Sequence, residues 1–238
     1  MQAIMNFLQR SLLWMLGGLL VLGMAGCGSE AKERAAFIAF LQTRIIDKPG
    51  VHVPTLTTEE TRSFGDYSKH FDVITDYNTS MNAKVEQPVR AMMAKSMPRT
   101  MPDLLARRAD VAALRKTSEQ LRATIDTEQA AAGVKRVALK QPDDLRSVYD
   151  KAYARTVSDP GNSFKDFLVV MESMLASADK LADYLEQHRD QIRFNGITAE
   201  VDDQKVLDQM NVLMKELNEK NEQVAAAQRK LVSTVAGR

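Results

Sequence analysis

Two stretches in the second half of the chain hold a three-four alternation of apolar positions without a slip, and this pattern limits the fold more than any other feature. Phe164, Phe167, Met171, Met174, Ala178, Leu181, Leu185, His188 and Ile192 form the first stripe, widened by Leu168, Leu175 and Ala182. Leu207, Met210, Met214, Leu217, Asn221, Val224, Gln228, Leu231 and Val235 form the second. A 3.5-residue period implies helices that cross at shallow angles with left-handed supercoiling, and at ~1.5 Å per residue each is a rod of roughly 45 Å. Such faces need partners. The pattern predicts an all-α fold, an elongated antiparallel helical bundle. Between the rods, Ile192-Arg193-Phe194-Asn195-Gly196-Ile197-Thr198-Ala199 places Asn-Gly among alternating apolar residues, which predicts a tiny β-hairpin within 191–201; a glycine helix cap is the alternative.

The earlier part of the chain is also helical in pattern. Glu30 to Ile46 sets Phe37, Ile38, Leu41 and Ile45 on one stripe before Lys48-Pro49-Gly50 ends it, and Val51 to Leu56, with Pro54, reads as an extended connector. Thr57 and Glu60 have the spacing of a capping box. From there Phe64, Tyr67, Phe71, Ile74, Asn78, Met81 and Val85 continue a heptad seam that Pro88 should interrupt or kink. A third helix restarts near Thr100, with Asp103 three residues on, and carries Leu104, Val111, Leu114, Leu121 and Ile125 until Gly133 offers a stop. Gln141-Pro142-Asp143-Asp144 opens a shorter helix with Leu145, Val148, Tyr149, Ala152 and Tyr153 on its apolar face. Ser158-Asp159-Pro160-Gly161-Asn162 is the most turn-rich string in the sequence.

The N-terminus has a different character. Arg10 precedes a dense apolar run from Leu12 to Met24, and Met24-Ala25-Gly26-Cys27 has the form of a bacterial lipobox, with small residues for a signal peptidase before the chain's single cysteine. Met24 departs from the usual Leu. The expectation is a signal peptide over 1–26, cut between Gly26 and Cys27, with a covalent lipid on the Cys27 thiol. An uncleaved membrane anchor is the alternative, but thirteen dense apolar residues span about 20 Å, short of the ~30 Å hydrocarbon core. Cleavage removes Arg10, the only fixed charge before Cys27, so the whole chain's net charge of +1 falls to zero. Attachment then depends on acyl chains, of which more than one is needed. Gly28 rather than Asp in the second mature position favours the outer membrane over the inner, on the periplasmic side. The organisation expected is 1–26 signal peptide, 27–57 lipidated N-terminus with a short helix and connector, and 58–238 helical bundle.

Composition excludes several classes of function. The 32 Lys plus Arg balance 31 Asp plus Glu, and aromatics are 6%, which argues against an electrostatic nucleic-acid binder. The sequence contains no Gly-rich phosphate loop, Gly-x-Ser-x-Gly elbow or His-Glu-x-x-His motif. His52, His70 and His188 are far apart; His188 sits on a seam, where a core role outweighs a catalytic one, and His70 with Asp66 one turn before it reads as a solvated couple. Asp143-Asp144 and Asp202-Asp203 precede amphipathic helices, where capping explains them better than metal or acid-base chemistry. Asn78 and Asn221, with His188, are polar seam residues that can fix register; lining a polar cavity is the other option. No catalytic residue and no cofactor beyond the lipid is expected.

Methionine is the unusual local feature. Met92, Met93, Met97 and Met101 crowd ten residues, and Met93, Met97 and Met101 are four apart, on one side of any helix that tolerates Pro98. Thioethers bind Cu(I), so these three are a candidate metal set. They also fill adaptable contacts, and packing or contact is the favoured reading.

Ala36-Phe37-Ile38, Phe40-Leu41-Gln42, Pro54-Thr55-Leu56-Thr57, Phe64-Gly65, Leu139-Lys140-Gln141, Asp143-Asp144-Leu145 and Asn195-Gly196 together resemble a family of proteobacterial lipoproteins, typified in enterobacteria and described only as a domain of unknown function of the DUF3053 type. The resemblance runs over nearly all the chain beyond the signal segment. It implies an exported, lipid-anchored helical protein with no assigned reaction, and it carries over no catalytic residue. The leading expectation is a non-enzymatic envelope binding or scaffold module, a monomer or weak dimer, that offers a helical surface or groove to a protein partner or hydrophobic ligand. An envelope-modifying enzyme, a methionine-based Cu(I) binder and a murein-linked spacer are the alternatives, the last weakened by a chain end of Gly237-Arg238 rather than lysine.

Overall fold

The computed structural model describes residues 24–196 and 198–237. The expected signal segment therefore falls almost wholly outside the described residues, while the backbone at Cys27 is helical. Helix α1 (Met24–Leu41) closes in a π turn over Gln42–Ile46 and buries Phe37, Phe40, Leu41 and Ile45. Breakers then act as the sequence indicates, Gly50 taking φ +71° at the start of the extended connector. The box at Thr57 forms reciprocally ahead of α2 (Thr58–Phe64): the Glu60 amide donates to the Thr57 hydroxyl at 3.1 Å, and the Thr57 amide to the Glu60 carboxylate at 2.8 Å.

The seam from Phe64 to Val85 is not carried by one helix. Gly65, at φ +55°, opens a 3₁₀ turn over Gly65–Tyr67 before α3 (Ser68–Met81), and a Cβ there would lie 2.2 Å from the Glu33 carboxylate of α1. Pro88, by contrast, breaks nothing. A π turn, Asn82–Glu86, leads directly into α4 (Gln87–Met93). Proline inside a regular helix collides with the carbonyl four residues back, at a cost of ~3 kcal/mol or more; the wider turn just ahead of it relieves the collision.

After α4 the chain leaves helix until Thr100 caps α5 (Met101–Ala106), accepting from the Asp103 amide at 3.2 Å. Arg107 kinks the path at φ −113°, and α6 (Arg108–Val137) follows. This helix passes through Gly133, correcting the stop expected there: one interior glycine costs only about 1 kcal/mol, and Ala132 beside it is buried. Helix α7 (Asp143–Tyr153) buries Leu145, Tyr149, Ala152 and Tyr153.

The turn expected at 158–162 does not form. A π turn, Ala154–Ser158, joins α7 to α8 (Asp159–Gln187), with Pro160 in the first turn of the new segment, the same offset from the π turn as Pro88. Strands β1 (Ile192–Asn195) and β2 (Thr198–Val201) then make the expected antiparallel hairpin, Ile192 opposite Val201 and Asn195 opposite Thr198, with Gly196 at φ +65° opening the turn. Helix α9 (Gln204–Ala236) completes the fold, capped by the Asp203 carboxylate, which accepts from the Lys205 amide at 2.7 Å and the Val206 amide at 3.2 Å.

Cross-helix pairs show that the long helices alternate in direction. Asp76 meets Lys135 at 2.7 Å between α3 and α6, and Asp126 meets Lys165 at 2.7 Å between α6 and α8, where Arg108 also pairs with Asp183. Between α8 and α9, Lys180 reaches Glu216 at 3.2 Å and Asp166 reaches Lys230 at 3.0 Å. The result is the elongated antiparallel bundle the seams require. Exposed pairs of this kind report register more than they stabilise.

Two cores fill the bundle. At one end α1, α2, α3 and α7 enclose Phe37, Phe71, Tyr149 and Leu145; residues 27–57 thus contribute directly to a core shared with later helices. At the other, α6 and α9 flank α8, which buries Leu168, Leu175 and Ala182 completely. The residues that merely widened the sequence stripe are the deepest, because α8 has two partners rather than one. Phe164, Phe167 and Met171 are only partly buried.

Candidate functional site

The middle of α9 does not seal against α8. Only Val206 and Met210 of α9 are buried, and Asn221, expected on a closed seam, is exposed. An amide at that step gives the two helices no apolar surface to bury, so the seam opens into a groove. Its volume is about 420 Å³, within the ~300–1,000 Å³ range of small-molecule sites. One wall is Met174, Ala178 and Leu181 of α8; the opposite wall is Met214, Leu217, Asn218 and Asn221 of α9; and the segment from Met97 to Met101, with Leu104, forms the third side.

This arrangement corrects the geometry expected of the methionine set. Met93, Met97 and Met101 do not share a helix face, because α4 ends at Met93 and residues 96–99 have no regular structure ahead of Pro102. Met97 and Met101 instead join Met174 and Met214, whose seam positions point only to core packing. Four thioethers from three segments therefore line one groove. Met97 is 37% exposed and Met174 only 4%, so the methionines reach from the mouth to the floor.

Electrostatics beside the groove are orderly. Buried Ser177 donates to Glu216 at 2.9 Å and Lys180 reaches the same carboxylate at 3.2 Å, holding that carboxyl below its usual range. Arg107 pairs with Asp103 and Asp110, and Arg108 with Asp183. Arg99, the one charged residue lining the groove, forms no ion pair among the described residues.

The remaining candidates are dispersed. His52 is exposed on the connector, and His188 ends α8 with its ring 4.4 Å from that of Tyr184. His70 takes a hydrogen bond at Nδ1 from the Gln141 amide at 3.1 Å, while Asp66 turns to Lys69 at 2.7 Å instead. Asp144 accepts from the Leu145 amide at 2.9 Å and pairs with Arg34 at 3.2 Å; Asp202 pairs with Arg193 at 2.6 Å. Burial pushes the Tyr77 hydroxyl up to about 12 and Tyr149 upward as well, so both stay protonated near neutral pH. Among the described residues no three His, Cys, Asp or Glu side chains cluster in a way that could hold a metal ion.

Asn78 is half-buried and lines a separate hollow of about 660 Å³ between the connector and α3. Of its hydroxyls, Thr61, Ser68 and Thr75 already donate to nearby backbone carbonyls. No helix among the described residues is long and apolar enough to cross a membrane.

Fold and groove together define an all-helical protein, an elongated antiparallel bundle with one small hairpin. The chain belongs to the family described as "Protein of unknown function (DUF3053)", which matches residues 15–232. It is similar to the uncharacterized protein YiaF of Escherichia coli K12, 25% identical over 183 residues that span 75% of this chain and 77% of YiaF. YiaF of Shigella flexneri matches to the same extent. No solved structure matches the chain.

Proposed function

We propose that the protein is a lipid-anchored envelope lipoprotein, tethered through Cys27 to the periplasmic face of the outer membrane, that works as a non-enzymatic binding module. The observation that carries the binding role is the opening of the α8–α9 seam into a groove whose walls are largely apolar while its neighbouring charges are already paired. A helical scaffold that only spaced two objects apart would gain stability by closing that seam. The export and anchoring part rests on the Leu12–Met24 run and the Gly26-Cys27 junction. Partners consistent with the site are a hydrophobic small molecule or an apolar segment of another envelope protein.

Native mass spectrometry of the full chain extracted from bacterial membranes tests this reading. A species bound non-covalently, and displaced when Ala178→Trp fills the groove, is the expected outcome. A chemical turnover abolished by a single acid or histidine substitution would replace the module with an envelope-modifying enzyme.

Convergence of Met97, Met101, Met174 and Met214 on one groove favours a second reading, capture of Cu(I) by thioethers. It uses a wider donor set than the sequence cluster alone suggested.

A further inference from the structure

Resting on the binding-module reading, we infer that the groove between α8, α9 and the 97–104 segment receives a single-chain amphiphile with an anionic head, its alkyl chain between the helices and its head at Arg99 and the Asn218 and Asn221 amides.

Shape comes first. The α8 wall runs from Met174 through Ala178 to Leu181, two helical turns or about 10 Å of rise, and α9 runs antiparallel along the other side. Ala178, the smallest side chain lining the groove, stands at the centre of this wall. A slot of this form between two rods accepts a flexible hydrocarbon along its length.

The lining agrees with that occupant. Thioether side chains have several rotatable bonds and polarizable sulfur, so they repack around a chain that has no fixed shape. Leu104, Leu181 and Leu217 supply the remaining apolar surface.

Charge selects the head. Arg107 and Arg108 nearby spend their guanidinium groups on Asp103, Asp110 and Asp183. Arg99 lines the groove and its guanidinium pairs with no carboxylate among the described residues; what Arg99 gives the Asp103 carboxylate is its backbone amide, at 3.1 Å, while that carboxylate pairs with Arg107. A free guanidinium binds carboxylate or phosphate oxygens in a forked geometry. Asn218 and Asn221 are exposed on the adjoining wall and make no side-chain hydrogen bond among the described residues, so their amides are available to the same head. A carboxylate and a phosphate monoester share this chemistry, which covers a free fatty acid and a lysophosphatidic acid.

Photocrosslinking of the full chain in native membranes tests the assignment with three diazirine probes of equal chain length: a fatty acid, a lysophosphatidic acid and an uncharged fatty alcohol. Labelled peptides should map to 170–181 and 214–221 for one or both anionic probes, and the probe that labels identifies the source of the head. Arg99→Glu, a surface change that leaves packing intact, should cut anionic labelling at least fivefold and spare the alcohol. Ala178→Trp should abolish labelling by all three, with retained helicity and protease resistance showing that it folds. Equal labelling by all probes, insensitive to Arg99→Glu but lost in Ala178→Trp, overturns the anionic head and leaves the module reading standing. Absence of groove peptides with every probe overturns the inference, whereas the module reading falls only if the extracted protein also carries no bound species.

Discussion

The side-chain amide of Gln129 on α6 donates to the carbonyl of Val157 at 3.1 Å and reaches that of Ser158 at 3.3 Å, bracing the π turn that lets the chain pass Pro160 as helix. Gly161 makes room for it: a Cβ there would lie 2.2 Å from Gln129 Nε2 and 2.9 Å from the Tyr77 hydroxyl. Gln129→Ala should therefore lower stability by about 1–2 kcal/mol, the usual cost of partly buried acceptors losing a donor. Gly161→Ala displaces the same amide, so the two changes should cost less together than the sum of each alone. Urea denaturation of both single variants and the double variant measures the coupling; strict additivity would deny the bracing role.

His70 gives the fold a pH dependence. The Gln141 amide nitrogen can only donate, so Nδ1 accepts and the ring is neutral, and burial lowers its pKa from the ordinary 6.5. The unfolded chain then binds the proton more readily than the folded one, and stability present above about pH 6.5 declines as pH falls from that value through the lower folded pKa. His70→Gln should flatten the pH dependence of the melting temperature between pH 6.5 and 5, before exposed carboxylates titrate. An unchanged slope in that variant would assign the effect elsewhere.

Backbone approach from the connector helps hold the end of α9, beside the Ser163–Thr234 hydroxyl contact at 3.1 Å and the Asp166–Lys230 pair at 3.0 Å. The Val51 amide donates to the Val235 carbonyl at 2.9 Å, and a Cβ on Gly50 would sit 2.4 Å from that same oxygen, at φ +71°. Gly50→Ala combines that collision with a left-handed backbone, so a loss of at least ~2 kcal/mol is expected. Hydrogen exchange should show its effect in residues 228–237 first. Protection unchanged there would mean that the connector and α9 are not coupled.

Several of these features were legible in the sequence because they are local. The Thr57–Glu60 box, the Thr100 cap, the Asp203 cap and the Asn195-Gly196 hairpin depend on residues within a few positions of one another. The long seams also read correctly as rods. What the sequence concealed was the number of partners each rod meets: α8 touches both α6 and α9, so Leu168 and Leu175 lie deeper than Phe164 and Phe167. Turn-rich composition misled at 158–162 because its relief comes from Gln129, about thirty residues away. The groove shows the same limit, since Met174 and Met214 become groove lining only through the docking of the 97–104 segment. Their seam positions gave no sign of it.

Copper capture has a direct check. If the groove thioethers are the donors, Cu(I) titrated against a competing chelator should bind with one stoichiometric site, and Met97→Leu with Met101→Leu should weaken it at least tenfold while the melting temperature moves little. Loss of binding on Met174→Leu, which lies on α8 far from Met97 in sequence, would tie the site to the groove rather than to the local methionine run. A stoichiometry and affinity unchanged in both variants would remove copper from consideration.

Membrane tethering through Cys27 is the claim on which placement in the envelope depends. Cleavage before Cys27 would leave 31 basic and 31 acidic residues, so no net charge would supplement the acyl chains on anionic lipid. Cys27 falls within α1, whose Phe37 and Leu41 are anchored in the core, so acylation of that residue would bring that end of the bundle to the bilayer. Radiolabelled palmitate should enter the wild-type chain and not Cys27→Ser, and the variant should migrate at the size of the uncut precursor. Incorporation in both, or wild-type protein of precursor size without label, would return the N-terminal run to the role of an uncleaved anchor.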